Sequence, residues 1–294
     1  MNCRPALLVP AALLAMITFG CESGEKKLFS LRPTPGRAEV RLDPIAPRIW
    51  RIIDTGHFLS NSLVVETPTS LVMVDTPWTP AATRAVIDRL KQITGKKPEI
   101  LFLTHFHIDR MGGASVLAEQ GVPIVASKAT ADLLRKRFSS DREELLLDLD
   151  RMIPSGADPE KRVAGEAFRK EANEIRTVKP DRIVQGKENH FVVSGLSVDF
   201  VFPGPGHSSD NMVVHFPALR LLFAGCLVRE GDSLGSIGDA MIPEWHGSVE
   251  SLLLFDADVV ITGHGLRTSP NAILDTLSLL KIHDETLGST PAKR

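Results

Sequence analysis

Tyrosine is absent from the 294 residues, and aromatic residues of any kind make up only 5%. A surface that stacks nucleobases needs such rings, and one that follows a phosphate backbone needs a basic excess, whereas the net charge here is −2. Nucleic acid is therefore not an expected partner, and nothing in the charge favours an anionic membrane surface. Cysteine occurs only at Cys3, Cys21 and Cys226. So small and odd a set excludes a disulfide framework. Internal repeats are absent as well.

The one long apolar run lies at the start. Arg4 is followed by Ala6 to Phe19 almost without polar groups. That is short for a comfortable membrane span and has the shape of a secretory signal, so residues 1–20 are expected to be a signal peptide. Thr18-Phe19-Gly20-Cys21 resembles a lipoprotein cleavage box, which would make Cys21 the lipidated first residue of the mature chain. Ordinary cleavage nearby is the alternative. The expected location is the periplasm, with the only membrane contact a lipid anchor in the outer membrane. Cys226 then remains as a lone thiol in an oxidising compartment, better explained by a bound metal than by a free group. Residues 21–44 are polar and contain Pro33, Pro35 and Gly36, which predicts a flexible tether, with one domain over 45–294.

Within that domain strands lead and helices follow, twice. Strands are expected at 48–53, 60–66 and 70–75, then a helix over 79–94 closed by Gly95. After a strand at 99–103 come helices at 114–120 and 128–138, with a strand at 123–126 between them. Ser139-Ser140-Asp141 is expected to cap a separate helix over 142–152, and Asp158-Pro159-Glu160 to start another reaching about residue 176. Strands return at 182–184, 190–193, 197–202, 212–216 and 220–223. A short helix near 248–254, a strand at 258–261 and a helix over 270–285 complete the pattern. Two facing sheets with helices outside is the economical packing, an α+β fold in four αββα layers.

The chemistry gathers at strand ends. Thr104-His105-Phe106-His107-Ile108-Asp109-Arg110-Met111-Gly112-Gly113 joins a buried strand to a helix, and puts two imidazoles and a carboxylate at alternate positions. Gly206-His207, Gly225-Cys226 and Gly263-His264-Gly265 each end a further apolar strand in a glycine turn. Imidazole, carboxylate and thiolate are zinc ligands, and six of them suit two ions better than one. His190, His215, His246 and His283 lie away from such turns and are read as structural or exposed. Asp75 ends a buried strand, where an unpaired carboxylate is costly, so it is expected to orient a metal ligand by hydrogen bonding.

These pieces resemble the metallo-β-lactamase superfamily, specifically subclass B1 of the metallo-β-lactamases. The match adds Val74-Asp75-Thr76-Pro77-Trp78 and the stretch from Ser233 to Ala240, and spans 47 to about 287. Relatives such as glyoxalase II carry a His after the Asp, where this chain has Arg110. Subclass B2 replaces the first His with Asn, and subclass B3 lacks the Cys.

The resemblance implies two Zn²⁺ per chain, one on His105, His107 and His207, the other on Asp109, Cys226 and His264. A zinc-bound hydroxide would open the β-lactam amide of penicillins, cephalosporins and carbapenems without a covalent intermediate, and so confer antibiotic resistance. Asp109 or water would return the proton. Arg229 falls where relatives pair a cation with the drug's carboxylate, and Ser236 where many have an Asn that assists the oxyanion. Arg110 is expected behind the second zinc, tuning Cys226. The loop 55–59 would overhang the site, with His57 solvated. The excess length near 141–176 reads as a charged, solvated decoration, the sharper alternative being a wall of the groove or a dimer contact. A monomer is expected. The competing functions are a zinc hydrolase of lactones or thioesters, and a non-catalytic metal-binding protein.

Overall fold

Apolar runs in this chain become strands buried on both faces, and successive side chains enter different cores. The computed structural model describes residues 29–30, 40–55, 58–152 and 159–288. One sheet has eight strands in sequence order: β1 (Phe29–Ser30), β2 (Val40–Ala46), β3 (Ile49–Asp54), β4 (Ser60–Glu66), β5 (Leu71–Val74), β6 (Pro98–Phe102), β7 (Ile124–Ser127) and β8 (Arg182–Val184). The other has β9 (Glu188–Val193), β10 (Leu196–Val201), β11 (Val213–Phe216), β12 (Leu221–Gly225) and β13 (Val259–Thr262), in spatial order 13-12-11-10-9.

Period two assigns the cores. Val72 and Val74 of β5 and Phe102 of β6 point to the layer between the sheets, where they meet Phe200, Phe216 and Phe223. Leu71, Met73 and Leu101 point the other way, onto helices α1 (Pro80–Thr94), α2 (Ile108–Met111) and α3 (Ala114–Glu119). In the second sheet Phe223 and Ile261 face inward. Leu222 and Val260 face α6 (Ile242–Glu250) and α7 (Asn271–Gly288). Three apolar layers between four structural layers make an αββα sandwich.

Helix α1 starts where the sequence places it. Thr79 Oγ1 accepts from the Ala82 amide at 3.2 Å, Pro80 sits at the first turn, and Gly95, at φ 70°, closes the end by donating to Lys91.

Three boundaries differ from expectation. Strand β2 covers residues 40–46 and β1 pairs with it, so residues 29–30 and 40–44 belong to the sheet and not to a tether. Val40 and Leu42 alternate inward, and Pro44 is accommodated where the register with β3 shifts. Helix α4 runs unbroken from Lys128 to Met152, with no cap at Ser139-Ser140-Asp141. Leu134, Phe138, Leu145 and Leu149 hold one apolar face across that point, and Ser140 Oγ bonds back to the Arg137 carbonyl at 2.8 Å. Helix α6 begins six residues early because Trp245 is wholly buried and donates to the Leu227 carbonyl at 2.8 Å.

Helix α5 (Pro159–Ala172) folds back on α4. Phe168 and Ala172 join Trp78, Ile108, Leu145 and Leu149 in a fourth apolar cluster, beside the His-x-His-x-Asp turn. No described helix is long and apolar enough to cross a membrane. The stretch 1–20, Cys21 and His57 lie outside the described residues.

Candidate metal centre

Parallel pairing sets where the ligands emerge. β5 pairs with β6 in parallel in one sheet, and β12 with β13 in the other. The turns following β6, β12 and β13 therefore open at one edge of the sandwich, where the loop after β10 also arrives. Ligands held at the carboxyl ends of strands follow the usual logic of such sheets.

The structure brings all six candidate ligands together, as two trios. In the first, His105 Nε2 lies 3.1 Å from His107 Nδ1, which lies 3.2 Å from His207 Nε2. In the second, Cys226 Sγ lies 3.3 Å from His264 Nε2 and 3.9 Å from Asp109 Oδ2, with 3.3 Å between the last two atoms. A tetrahedral zinc with metal–nitrogen bonds near 2.1 Å has ligand–ligand edges of about 3.4 Å, slightly longer where sulfur is involved. The distances given lie within about 0.3 Å of such edges, so the residues present fit one zinc per trio, and three protein ligands apiece would leave a further position for water. The donor sets differ: three nitrogens, against oxygen, sulfur and nitrogen.

Four of the six ligands are held from behind. Asp75, wholly buried and at φ 56°, accepts from the Thr104 amide at 2.8 Å and from its hydroxyl at 2.7 Å. The Thr104 hydroxyl lies 3.2 Å from His105 Nδ1, so Asp75 orients His105 through one intermediary. Burial raises the Asp75 pKa to about 7, against the pull of Arg110 and of the Thr104 bonds. His107 Nε2 faces Asp239 Oδ2 at 3.0 Å, and Arg137 of α4 binds the other Asp239 oxygen. His264 Nδ1 donates to the Leu59 carbonyl at 2.6 Å. His207 Nδ1 has no hydrogen-bond partner among the described residues. Asp210 accepts from the Phe106 amide at 3.0 Å and so pins the turn between the two histidines.

Arg110, also wholly buried, stands behind the second trio. Its Nε donates to Asp109 Oδ2 at 2.9 Å, and its Nη1 and Nη2 reach the Asn61 and Gly263 carbonyls at 2.5 and 3.0 Å. Burial alone would raise the Asp109 pKa; the Arg110 charge and the bond to His264 outweigh it and hold the carboxyl well below its usual range. Burial works against charge on His264 too, yet Cys226 and the bonds to Asp109 and Cys226 push its pKa up to about 9. Burial depresses His105 and His207 well below the ordinary imidazole value, so both present lone pairs to an ion.

Two glycines permit the close approaches. A Cβ on Gly112 would strike the Trp78 carbonyl, and one on Gly263 would strike Cys226. The turns could not pack so tightly with any other residue.

A groove of about 760 Å³ lies over the trios. Its lining includes His107, Asp109, His207 and His264, and at the rim Phe58, Trp78, Arg229 and Ser236. Arg137, Asp141, Glu144, Leu145 and Asp148 of α4 line it as well, so the added helix is a wall of the groove and not a detached decoration. Arg229 and Ser236 reach the groove without touching the trios, and the Arg229 Nε has no hydrogen-bond partner among the described residues. Sequence reasoning assigned no role to Asp239, Asp210 or Arg137. Asp239 sits within a matched motif and was within reach of inference; nothing local marks Arg137.

The family model described as "Metallo-beta-lactamase superfamily" matches residues 55–264. A Bacillus sp. (strain 170) protein named "Metallo-beta-lactamase type 2" is 28% identical over 251 residues, covering 82% of each chain. Its Bacillus cereus namesake is also 28% identical and is covered to 83%. Among solved structures, the metallo-beta-lactamase from Pontibacter korlensis is 26% identical with a TM-score of 0.66, covering 82% of this chain and 99% of its own. DIM-1 metallo-beta-lactamase gives the same identity and TM-score, with 83% and 98% covered. The chain belongs to the metallo-β-lactamase superfamily.

Proposed function

We propose that this protein is a subclass B1 β-lactamase that uses two zinc ions to hydrolyse the amide bond of penicillins, cephalosporins and carbapenems. The observation that carries the reading is the pair of preformed trios, one all-imidazole and one that includes a cysteine sulfur, beneath one groove. The names of the relatives point the same way.

Two zinc ions bound there supply Lewis acidity toward the lactam carbonyl and make a water nucleophilic near neutrality. The chain's own residues do the rest. Arg229 meets the substrate carboxylate and can do so with two parallel bonds. Ser236 offers a hydroxyl near the carbonyl oxygen. Water or Asp109, which lines the groove, returns a proton to the departing ring nitrogen. Trp78, Phe58 and Leu145 provide apolar walls, and a groove of this size suits a small bicyclic drug. No side-chain nucleophile takes part, so no covalent acyl-enzyme forms, and carbapenems have nothing to trap. The protein is read as exported to the periplasm, with Cys21 carrying the lipid anchor.

Nitrocefin hydrolysis by the purified protein, lost with EDTA and restored by zinc, is the expected result, together with turnover of imipenem. Turnover of lactones or thioesters without nitrocefin would replace the substrate class. Tight zinc binding without hydrolysis of any of these would leave a metal-binding protein.

A further inference from the structure

The guanidinium of Arg137 occupies a junction that the proposed reaction does not use. It arises from the part of α4 beside the His-x-His-x-Asp turn, in the helix that continues as the groove wall. Nη1 binds Asp239 Oδ1, Nη2 lies 3.1 Å from Asp141 Oδ1 one turn along α4, and Cζ stands 4.9 Å over the Phe106 ring. Asp239 is bound on both of its oxygens, by Arg137 and by His107 Nε2 at 3.0 Å. Phe106 lies between His105 and His107. A second cavity, of about 310 Å³, is lined by Phe106, Leu133, Arg137 and Asp239 among others. Without the guanidinium, little would keep the Asp239 carboxylate in one orientation.

A histidine that ligates through Nδ1 depends on the partner of its other nitrogen for ring orientation and tautomer. Asp239 is that partner for His107. Asp239 is carried on the loop before α6, with Gly235 and Gly238 close by, and loops hold a carboxylate less precisely than helices do. We infer that Arg137 is a positioning residue for the three-histidine trio, bracing Asp239 against His107 from α4 so that the groove wall and the first metal site are set by one side chain. This rests on the reading of that trio as a zinc site.

The test is zinc affinity, measured by competition with a chromophoric chelator, on the whole protein and its variants. R137A weakens the three-histidine site about tenfold, the lower end of what loss of a ligand's outer partner costs. R137K, which keeps the charge but not the fork, recovers part of the loss. In a D239N background the further effect of R137A disappears, because the two act in series. Cobalt in place of zinc separates the sites, since only the Asp109–Cys226–His264 trio gives a thiolate charge-transfer band, and that band titrates as in the wild type. Equal loss at both sites, or a full additive loss in the D239N background, would mean that Arg137 merely supports the fold and would overturn the inference, as would wild-type affinity in R137A. Wild-type protein that binds no zinc at the three histidines would instead overturn the reading on which it rests.

Discussion

The two trios sit side by side and are built on opposite principles. In the first, burial keeps His105 and His207 uncharged, and its supports, Asp75 through Thr104 and Asp239, lie one step back. The second is a charge network, in which Asp109, Cys226 and His264 surround the buried cation Arg110. A site with little buried charge tolerates the absence of its metal and the loss of one member. A network of buried charges tolerates neither well, because whatever remains is left uncompensated in a low-dielectric interior. The difference teaches that Arg110 serves the fold and the metal site at once.

The hardest blow to that contrast is R110A. It strands the Asp109 carboxylate, and breaking a buried pair costs about 3–5 kcal/mol. Chemical denaturation of the metal-free protein should show this loss and a much smaller one for H105A; equal losses would erase the distinction between the trios. Next comes C226S, which should weaken the second ion selectively while the three-histidine ion stays bound. Two tightly held metals in that variant, by elemental analysis, would refute the assignment.

The contrast sharpens with pH. His264 keeps its proton in the metal-free protein up to about pH 9, so an ion binding there must displace it. Affinity at the second trio should climb by at least about tenfold per pH unit toward that value, since the His264 proton leaves when an ion binds. His105 and His207 contribute no such slope above the free imidazole pKa of about 6.5. The sign for stability follows. These two have depressed folded pKa values, so the unfolded chain binds more protons, and the metal-free protein should lose stability as pH falls through about 6.5. His264, with its raised value, contributes stability that is present below that pH and lost as pH rises through about 9. Calorimetry across pH 5 to 10 would check both. The smallest effect is expected of R229A, which touches neither trio. Removing one charge-assisted contact of about 1.5 kcal/mol should raise KM for nitrocefin about tenfold with zinc content unchanged.

Much of the core was legible because both faces of the strands are covered, which writes continuous apolar runs at β5, β6 and β12. Strand β2 was not, since its polar alternates, Arg41 and Asp43, and Pro44 look like linker. The break expected in α4 failed for a related reason. A local Ser-Ser-Asp signal is worth about 1 kcal/mol, and a face of four large apolar residues outweighs it.

What the sequence by itself determined is the short-range part: His105, His107 and Asp109 on one turn, glycines where backbones must touch, and a lone thiol at a strand end. Residues two apart at a strand-to-helix turn have little freedom, so their convergence is local geometry. Only the tertiary structure decided that His207, Cys226 and His264 meet them, because parallel pairing aligns strand ends across separations that no spacing rule reaches. It alone also put α4 against the groove and Arg137 behind Asp239, since which face a helix turns inward depends on the layers beneath it.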